Sequence, residues 1–425
     1  MTGAVDSRSR LLKPQLAGVR LFGSALVFAG VFLSGFVISE PAPYELLMAV
    51  QIALWFLLGL KISKTVGALL IFFLLFNIGG LFSLTVMGDL TGAPMYIAVS
   101  LFLALSSVFY AAIVEDDHRR LVLICQAWVL GATLTSLLGI LGYFHAFPGA
   151  EIFTLYDRAK GAFQDPNVFG PYLVAPALYL MYRILSAPLA RTLLYLPGLL
   201  ILVLGIFLSF SRAAWALFAF AGLALVVIML LKERTAAFRL KIFTLAIAAI
   251  VVVLLAIAGA MQSKKVSDLF LSRAKLVQDY DDSRLGRFER HKIGFLMSME
   301  RPLGMGPMVL GKTFGEDEHN IWLKSLTTYG WLGFVAYVAL MWTTLIIGFR
   351  GLLRERPWQP FLMIAWITLL GHALIGNVID IDHWRHVYIL FGIVWGCHAL
   401  ERASERRARR VPRPGSARLQ APATP

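Results

Sequence analysis

Residues 93–114, "APMYIAVSLFLALSSVFYAAIV", contain no charged side chain over a length sufficient to cross a lipid bilayer. About 20 apolar residues in a helix span the hydrocarbon core of a membrane. Similar runs recur along most of the 425 residues, of which 58% are hydrophobic and 15% charged, and the mean hydropathy is +0.73. The sequence therefore predicts an all-α, polytopic integral membrane protein with about twelve transmembrane helices. The predicted spans are residues 19–38, 43–60, 65–87, 93–114, 121–144, 167–185, 193–210, 213–231, 240–261, 319–348, 360–378 and 384–400.

The basic residues predict the orientation of these spans. Most of the 39 Lys and Arg residues fall in alternate loops and in the C-terminal tail, on the side that also holds the N-terminus. Cytoplasmic loops are typically enriched in Lys and Arg, so both termini are expected in the cytoplasm. The first span is expected to stay as an anchor. The basic tail is interpreted as an orientation signal beside anionic lipid, which removes the need for a nucleic-acid partner despite the net charge of +14.

Four segments are predicted from this arrangement. They are residues 1–261 with the first nine spans, 262–318 as a large periplasmic loop, 319–400 with the last three spans, and 401–425 as a disordered basic cytoplasmic tail. Within the loop, residues 284–299 have the apolar spacing of a helix lying on the membrane surface. Pro302, Gly304, Gly306 and Pro307 then predict a tight turn.

The first polar cluster on the predicted outer face is the stretch "DRAKGAFQDPNVFG" at residues 157–170. Its Asp-Pro-Asn sequence is typical of a turn that caps the following helix, and a structural cap is one interpretation. Arg158, Lys160, Asp165 and Asn167 make the stretch more polar than a cap requires. These four residues are therefore also candidates for substrate binding.

Arginines form the second and third clusters. Arg212, in "LSFSRAAW", lies in a short turn between two apolar runs. An arginine at the edge of the hydrocarbon either snorkels to water or binds an anion. Arg284, Arg287, Arg290 and His291 follow one another on the predicted loop helix, where a solvated surface is the alternative to anion binding.

Histidines mark the remaining outer clusters. His319 and Asn320 follow the three carboxylates of residues 316–318 and precede an apolar run. The histidine is either an interfacial hydrogen-bonding residue or a base, and the carboxylates either favour its protonated form or complement the helix N-terminus. His383 and Arg385 lie at the last outer turn and, like Asn320, are candidates for substrate binding, although neighbouring aromatic residues also fit an interfacial belt.

The chemistry of these groups favours transfer from a lipid-linked diphosphate. Consecutive residues on a helix point about 100° apart, so Asp317, Glu318 and His319 do not form a metal site, and no metal or cofactor is expected. Guanidinium groups match the oxygen atoms of a diphosphate. A histidine that accepts a proton from a hydroxyl then completes the groups needed for glycosyl transfer.

Four motifs in this order resemble the O-antigen ligase and Wzy O-antigen polymerase superfamily: "GAFQDPN", "SFSRAAW", "GRFERHKIGFLMSMERPLGMG" and "EHNIWLKSLTTYGWLG". The resemblance covers residues 150–345 by motif. It implies about twelve spans with a large periplasmic loop, in the bacterial inner membrane. It also implies a donor glycan on undecaprenyl diphosphate and an acceptor that is lipid A-core, another glycan or, in some branches, a protein.

The resemblance also implies roles for individual residues. Arg212 and Arg287 match the diphosphate-binding arginines of the family, and His319 matches its proposed base. These three are therefore the candidate catalytic residues. His291 departs from the pattern because the family often has Trp at that position, which leaves Arg284 and Arg290 as alternative arginines.

The sequence thus predicts a metal-independent glycosyltransferase that acts at the periplasmic face on an undecaprenyl diphosphate-linked glycan. Three alternatives remain: a transporter or flippase of lipid-linked glycan, a protein O-glycosyltransferase of the same family, and a structural member of an envelope assembly.

Overall fold

A computed structural model of the protein describes residue 18 and residues 21–59, 61–247 and 286–410. The described chain is almost entirely helical, apart from one 3-10 turn, Ala150–Phe153, and two short antiparallel strands, β1 (Thr154–Leu155) and β2 (Arg158–Ala159). The helices are α1 (Leu21–Leu33), α2 (Pro43–Leu57), α3 (Lys64–Leu84), α4 (Ala93–Asp116), α5 (Arg120–Tyr143), α6 (Pro166–Tyr172), α7 (Val174–Ser186), α8 (Leu189–Leu208), α9 (Arg212–Lys232), α10 (236–247), α11 (Arg287–Met299), α12 (Val309–Phe314), α13 (Ile321–Phe349), α14 (Gln359–Ile375) and α15 (Arg385–Arg410).

Seven stretches of helix within the described ranges are long and apolar enough to cross a membrane. They are Lys64–Leu84, Ala93–Asp116, Arg120–Tyr143, Pro166–Ser186, Arg191–Leu208, Arg212–Lys232 and Ile321–Phe349. Three shorter apolar helices, α1, α2 and α14, coincide with further predicted spans. Helices suit this role because they satisfy their own backbone hydrogen bonds where water is absent. The fold is that of a polytopic helical membrane protein, whereas twelve crossings and a periplasmic loop stay predictions.

The helix boundaries follow local sequence signals. Ser63 caps α3 by accepting a hydrogen bond from the backbone of Val66, and Ser211 caps α9 in the same way. Asp165 begins α6 with Pro166 in the first turn, as the Asp-Pro-Asn sequence predicts.

Helix α13 is broken at Gly330, which has φ +66° and ψ −172°. In an unbroken helix the Trp331 N–H would donate to the Thr327 carbonyl. Here the Thr327 carbonyl accepts from the Met305 N–H at 2.7 Å, and the Trp331 N–H donates to the Pro302 carbonyl at 2.9 Å. The loop before α12 therefore supplies both missing partners.

The predicted turn at residues 302–307 is confirmed by this loop. Gly304 and Gly306 have φ values of +85° and +96°, in the region that favours glycine. A Cβ atom at Gly304 would lie 2.8 Å from the Gly330 nitrogen. Close backbone contact between the loop and the broken helix therefore requires glycine on both sides.

Helix α15 extends ten residues beyond the predicted end of the last span at residue 400. Ion pairs stabilise this extension: Arg354 donates to Glu401 and to Glu405, at 2.8 Å each, and Arg356 donates to Glu401 at 2.9 Å. Residues 401–410, predicted as part of a disordered tail, are thus helical, and the rest of that tail lies outside the described residues. The predicted ninth span lies outside them too beyond residue 247.

Candidate functional site

A cavity of about 860 Å³ lies where the N-termini of α6, α9 and α13 meet the loop between α14 and α15. We call it the central cavity. Its polar lining residues are Tyr96, Arg158, Asp165, Asn167, Ser211, Arg212, Asp317, His319, Lys324, Asp380, Asp382 and His383. Six of the predicted site residues therefore lie together: Arg158, Asp165, Asn167, Arg212, His319 and His383.

Arginines lie on one wall of the central cavity. Arg158 is buried, and it donates from Nε to the Ser209 carbonyl at 2.8 Å and from Nη2 to Asn167 Oδ1 at 2.7 Å. Arg212 is the first residue of α9 and comes directly after the cap residue Ser211. Arg158 therefore ties the hairpin and α6 to the turn that presents Arg212.

His319 lies directly before Asn320, the residue that caps α13. Its backbone has φ +49°, and its N–H donates to Asp380 Oδ2 at 3.2 Å. The Asn320 N–H donates to the other oxygen of the same carboxylate, Oδ1, at 2.8 Å. Left-handed backbone is unfavourable for a residue other than glycine, so these two hydrogen bonds help to fix the conformation of His319.

A buried lysine, Lys324, lies in the first turn of α13, shortly after His319 in the chain. Its Nζ atom is 3.3 Å from Asp380, 3.6 Å from Glu318 and 3.7 Å from Asp317. The sequence motifs predicted no role for Lys324 or for Asp380. The available signal was a single lysine inside an apolar run, which is rarely placed there without a partner.

Charge around Lys324 affects the carboxylate that holds His319. Burial raises the pKa of the Asp380 carboxyl to about 7, against the opposing pull of the Lys324 ammonium. Neighbouring carboxylates add to that rise, because one ammonium group does not neutralise several of them in a buried space.

Within the described part of the chain, no group of His, Cys, Asp or Glu side chains is arranged to hold a metal ion.

A neutral imidazole completes the cavity wall. The ring of His383 stacks on that of Tyr96 at a centroid distance of 4.0 Å, and the Tyr96 hydroxyl donates to Asp382 at 2.6 Å. Burial lowers the pKa of His383. Its buried Nε2 atom has no hydrogen-bond partner among the residues that the structure describes.

The structure places other predicted binding residues away from the central cavity. Asn320 caps α13, since its Oδ1 accepts from the Trp322 and Leu323 backbones and its Nδ2 donates to the Asn377 carbonyl. Asn320 thus has a capping role in the structure, and its predicted contact with substrate stays a prediction. Lys160 lies in the turn after β2 and does not line the cavity.

Two predicted arginines are engaged in ion pairs instead. Arg385 is buried and pairs with Glu40 at 2.9 Å and with Glu45. Arg290 pairs with Glu316 at 2.5 Å. Their guanidinium groups join helices and loops of the protein, and their predicted role in substrate binding stays a prediction.

Two predicted arginines remain, Arg284 and Arg287. Arg284 lies outside the described residues. Arg287 is the first residue of α11, and its side chain lies outside the described atoms. The next residue, Phe288, lines the central cavity, so the start of α11 lies at its edge.

The comparison with known protein families addresses the segment that contains these residues. Residues 197–338 match the family model described as O-antigen ligase. No curated protein matches the chain. The matched segment runs from α8 into α13, includes Arg212, Arg287 and His319, and is thus similar to an O-antigen ligase domain.

Proposed function

We propose that the protein transfers a glycan from undecaprenyl diphosphate to an acceptor hydroxyl, on lipid A-core or on a growing polysaccharide. The observation that carries this proposal is the presence of Arg212 and His319 in one cavity, although they belong to different helices. An anion-binding group and a proton acceptor at one place are what this reaction needs.

Arg212 is proposed to bind the diphosphate of the donor. A guanidinium group donates paired hydrogen bonds to phosphate oxygens and keeps its charge at physiological pH. Arg287, at the start of α11, is proposed as the second arginine. Because these groups offset the charge that grows on the leaving diphosphate, the reaction is proposed to need no metal ion.

His319 is proposed to be the general base. Its imidazole takes the proton of the acceptor hydroxyl while the hydroxyl oxygen forms a bond to the anomeric carbon of the donor. The bond between that carbon and the diphosphate oxygen breaks, and its electron pair leaves with undecaprenyl diphosphate. Asp380 acts through His319 by holding its backbone, and His383 is proposed to contact the substrate because it lines the central cavity.

The site is proposed to face the periplasm from the bacterial inner membrane. This proposal follows from the basic residues at the opposite ends of the helices, which favour the cytoplasm. Lipid-linked substrates on that face would reach the central cavity from the outer leaflet.

The test is an assay of glycan joining by purified protein in neutral detergent. The substrates are undecaprenyl diphosphate-linked glycan and, in separate reactions, lipid A-core, free glycan or protein. Joined product is expected with lipid A-core or glycan, whereas product with protein alone would assign the chain to the protein-glycosylating branch. Transport of labelled donor across liposomes without any joined product would contradict the proposal and favour a flippase.

Matched variants separate the roles of the two groups. Arg212→Lys keeps the charge but loses the planar fork, so donor binding and activity are expected to fall. Arg239→Lys, at an exposed position of α10, is the control and is expected to behave like the wild type. Equal activity in the two variants would remove Arg212 from diphosphate binding.

A further inference from the structure

A strongly basic cleft lies at the end of the helix bundle opposite to the central cavity. It is formed by the start of α3, the end of α13 and the extended end of α15, and it comprises two adjoining cavities of about 240 and 480 Å³. Its cationic lining residues are Lys64, Arg350, Arg354, Arg402, Arg406 and Arg409. We call these residues and the space between them the basic cleft.

The acidic residues of the basic cleft do not neutralise it. Glu401 and Glu405 are its only acidic lining residues within the described ranges, and both pair with Arg354 at 2.8 Å. Among the described residues, no carboxylate lies within ion-pair distance of Arg350 or Arg406. Like charges gathered at one place repel one another, so the cleft gains stability when an anion binds there.

Apolar and aromatic side chains form the inner wall of the basic cleft. Ile347, Leu362, Trp358 and Trp395 line its two cavities. Ile347 lies on α13, where the neighbouring side chain of Ile346 is exposed. The cleft is therefore amphipathic, with cations at the helix ends and an apolar wall towards the middle of the bundle.

The depth of the basic cleft matches the position of a lipid headgroup. Helix α3 has 21 residues and is about 30 Å long, which equals the thickness of the hydrocarbon core of a bilayer. Lys64, the first residue of α3, thus lies at the boundary between hydrocarbon and headgroups. The arginines of α15 extend beyond this boundary, at the level of lipid phosphates, and tryptophans are typical of the same level.

We propose that the basic cleft binds the headgroup of an anionic phospholipid, with its phosphate between the arginines of α13 and α15 and its acyl chains along the apolar wall. Guanidinium groups donate to phosphodiester oxygens, and basic pockets between transmembrane helices recognise anionic lipids in this way. A zwitterionic lipid carries its own cation, which offsets the attraction of its phosphate, so its headgroup is attracted less strongly than that of a phosphatidylglycerol.

The proposal is tested by titrating the full-length protein, purified in neutral detergent, with dioleoyl phosphatidylglycerol and measuring binding by microscale thermophoresis. Dioleoyl phosphatidylcholine and soluble glycerol phosphate are the comparison ligands. Saturable binding is expected for phosphatidylglycerol, with much weaker binding of both others. Equal binding of phosphatidylcholine would overturn the proposal, because this lipid lacks the net negative charge that the cleft is proposed to recognise. Equal binding of glycerol phosphate would also overturn it, because this ligand lacks the acyl chains.

A pair of double variants locates the binding. Arg402→Gln with Arg406→Gln removes two cations of the basic cleft and is expected to weaken phosphatidylglycerol binding about tenfold or more, since charge-assisted hydrogen bonds are lost. Arg234→Gln with Arg239→Gln also removes two positive charges, but from exposed positions outside the cleft. Arg234 lies between α9 and α10, and Arg239 lies on α10. An equal loss in both variants would mean that general surface charge attracts the lipid, and the proposed site would be wrong.

Discussion

Removal of the Lys324 ammonium would test whether a buried charge network supports the candidate site. The Lys324 side chain is 5% exposed and that of Glu318 is 3% exposed, whereas Asp317 is 47% exposed. Breaking a buried ion pair by removing one partner destabilises a protein by about 3–5 kcal/mol, while an exposed pair contributes at most about 1 kcal/mol. Lys324→Met, which keeps the length of the side chain, is expected to lower the free energy of unfolding by about 3–5 kcal/mol at pH 8.

The cost of Lys324→Met is expected to depend on pH. Burial raises the pKa of Asp380 to about 7 in the wild type, so this carboxyl is charged at pH 8 and protonated at pH 5. A group whose pKa is raised on folding destabilises the protein as the pH rises through the folded value. Without the ammonium the penalty at pH 8 grows, whereas at pH 5 the protonated Asp380 needs no counterion. The destabilisation is therefore expected to be smaller at pH 5.

The assay is SDS-induced unfolding in mixed micelles at both pH values, with Lys312→Met as the matched control. Lys312 pairs with Asp89 at 2.7 Å, but both side chains are more than half exposed. The control is expected to change stability by less than about 1 kcal/mol. A double variant, Lys324→Met with Asp380→Asn, should be more stable than the single one at pH 8. Equal effects of Lys324→Met and Lys312→Met would refute the reasoning.

Three further predictions concern the site, the fold and the topology. His319→Gln is expected to reduce turnover about 10²- to 10⁴-fold with donor binding retained, and near-normal turnover, compared with the exposed control His145→Gln, would limit His319 to positioning. Gly330→Ala is expected to lower the midpoint of thermal unfolding, because a Cβ atom there would lie 2.7 Å from the Leu303 carbonyl carbon; an unchanged midpoint would contradict the close contact. Cysteine introduced at residue 267, but not at residue 416, should react with a membrane-impermeant thiol reagent in cells with a permeabilised outer membrane, and the opposite pattern would reverse the topology.

Sequence patterns predicted the features that depend on residues near one another in the chain. Within the described ranges, apolar runs located most helices to within a few residues, apart from the extended end of α15, and the glycines and prolines around Gly304 located the turn. Arg212 and His319 were identifiable because each polar group stands directly before a long apolar run, and the cavity contains both.

Sequence patterns failed where long-range pairing decides the role of a charge. Arg385 pairs with Glu40 and Glu45, and no local signal shows that these carboxylates lie beside it in the fold. Conversely, Asp380 received no role because its partners, Lys324 and the His319 backbone, lie in a different helix and its preceding turn. Charge sign and hydropathy are readable from sequence, whereas the choice of counterion depends on tertiary packing.

The exchange of hydrogen bonds at Gly330 has a consequence for how this chain tolerates insertions and deletions. The loop replaces the missing partners of Thr327 and Trp331 with main-chain atoms of Met305 and Pro302. Main-chain atoms are the same in nearly every amino acid, so these bonds fix the register of residue 305 with α13 and not its side chain. Relatives of this protein are therefore expected to keep Gly304, Gly306 and the number of residues between 302 and 306 constant, while the apolar side chain at position 305 varies.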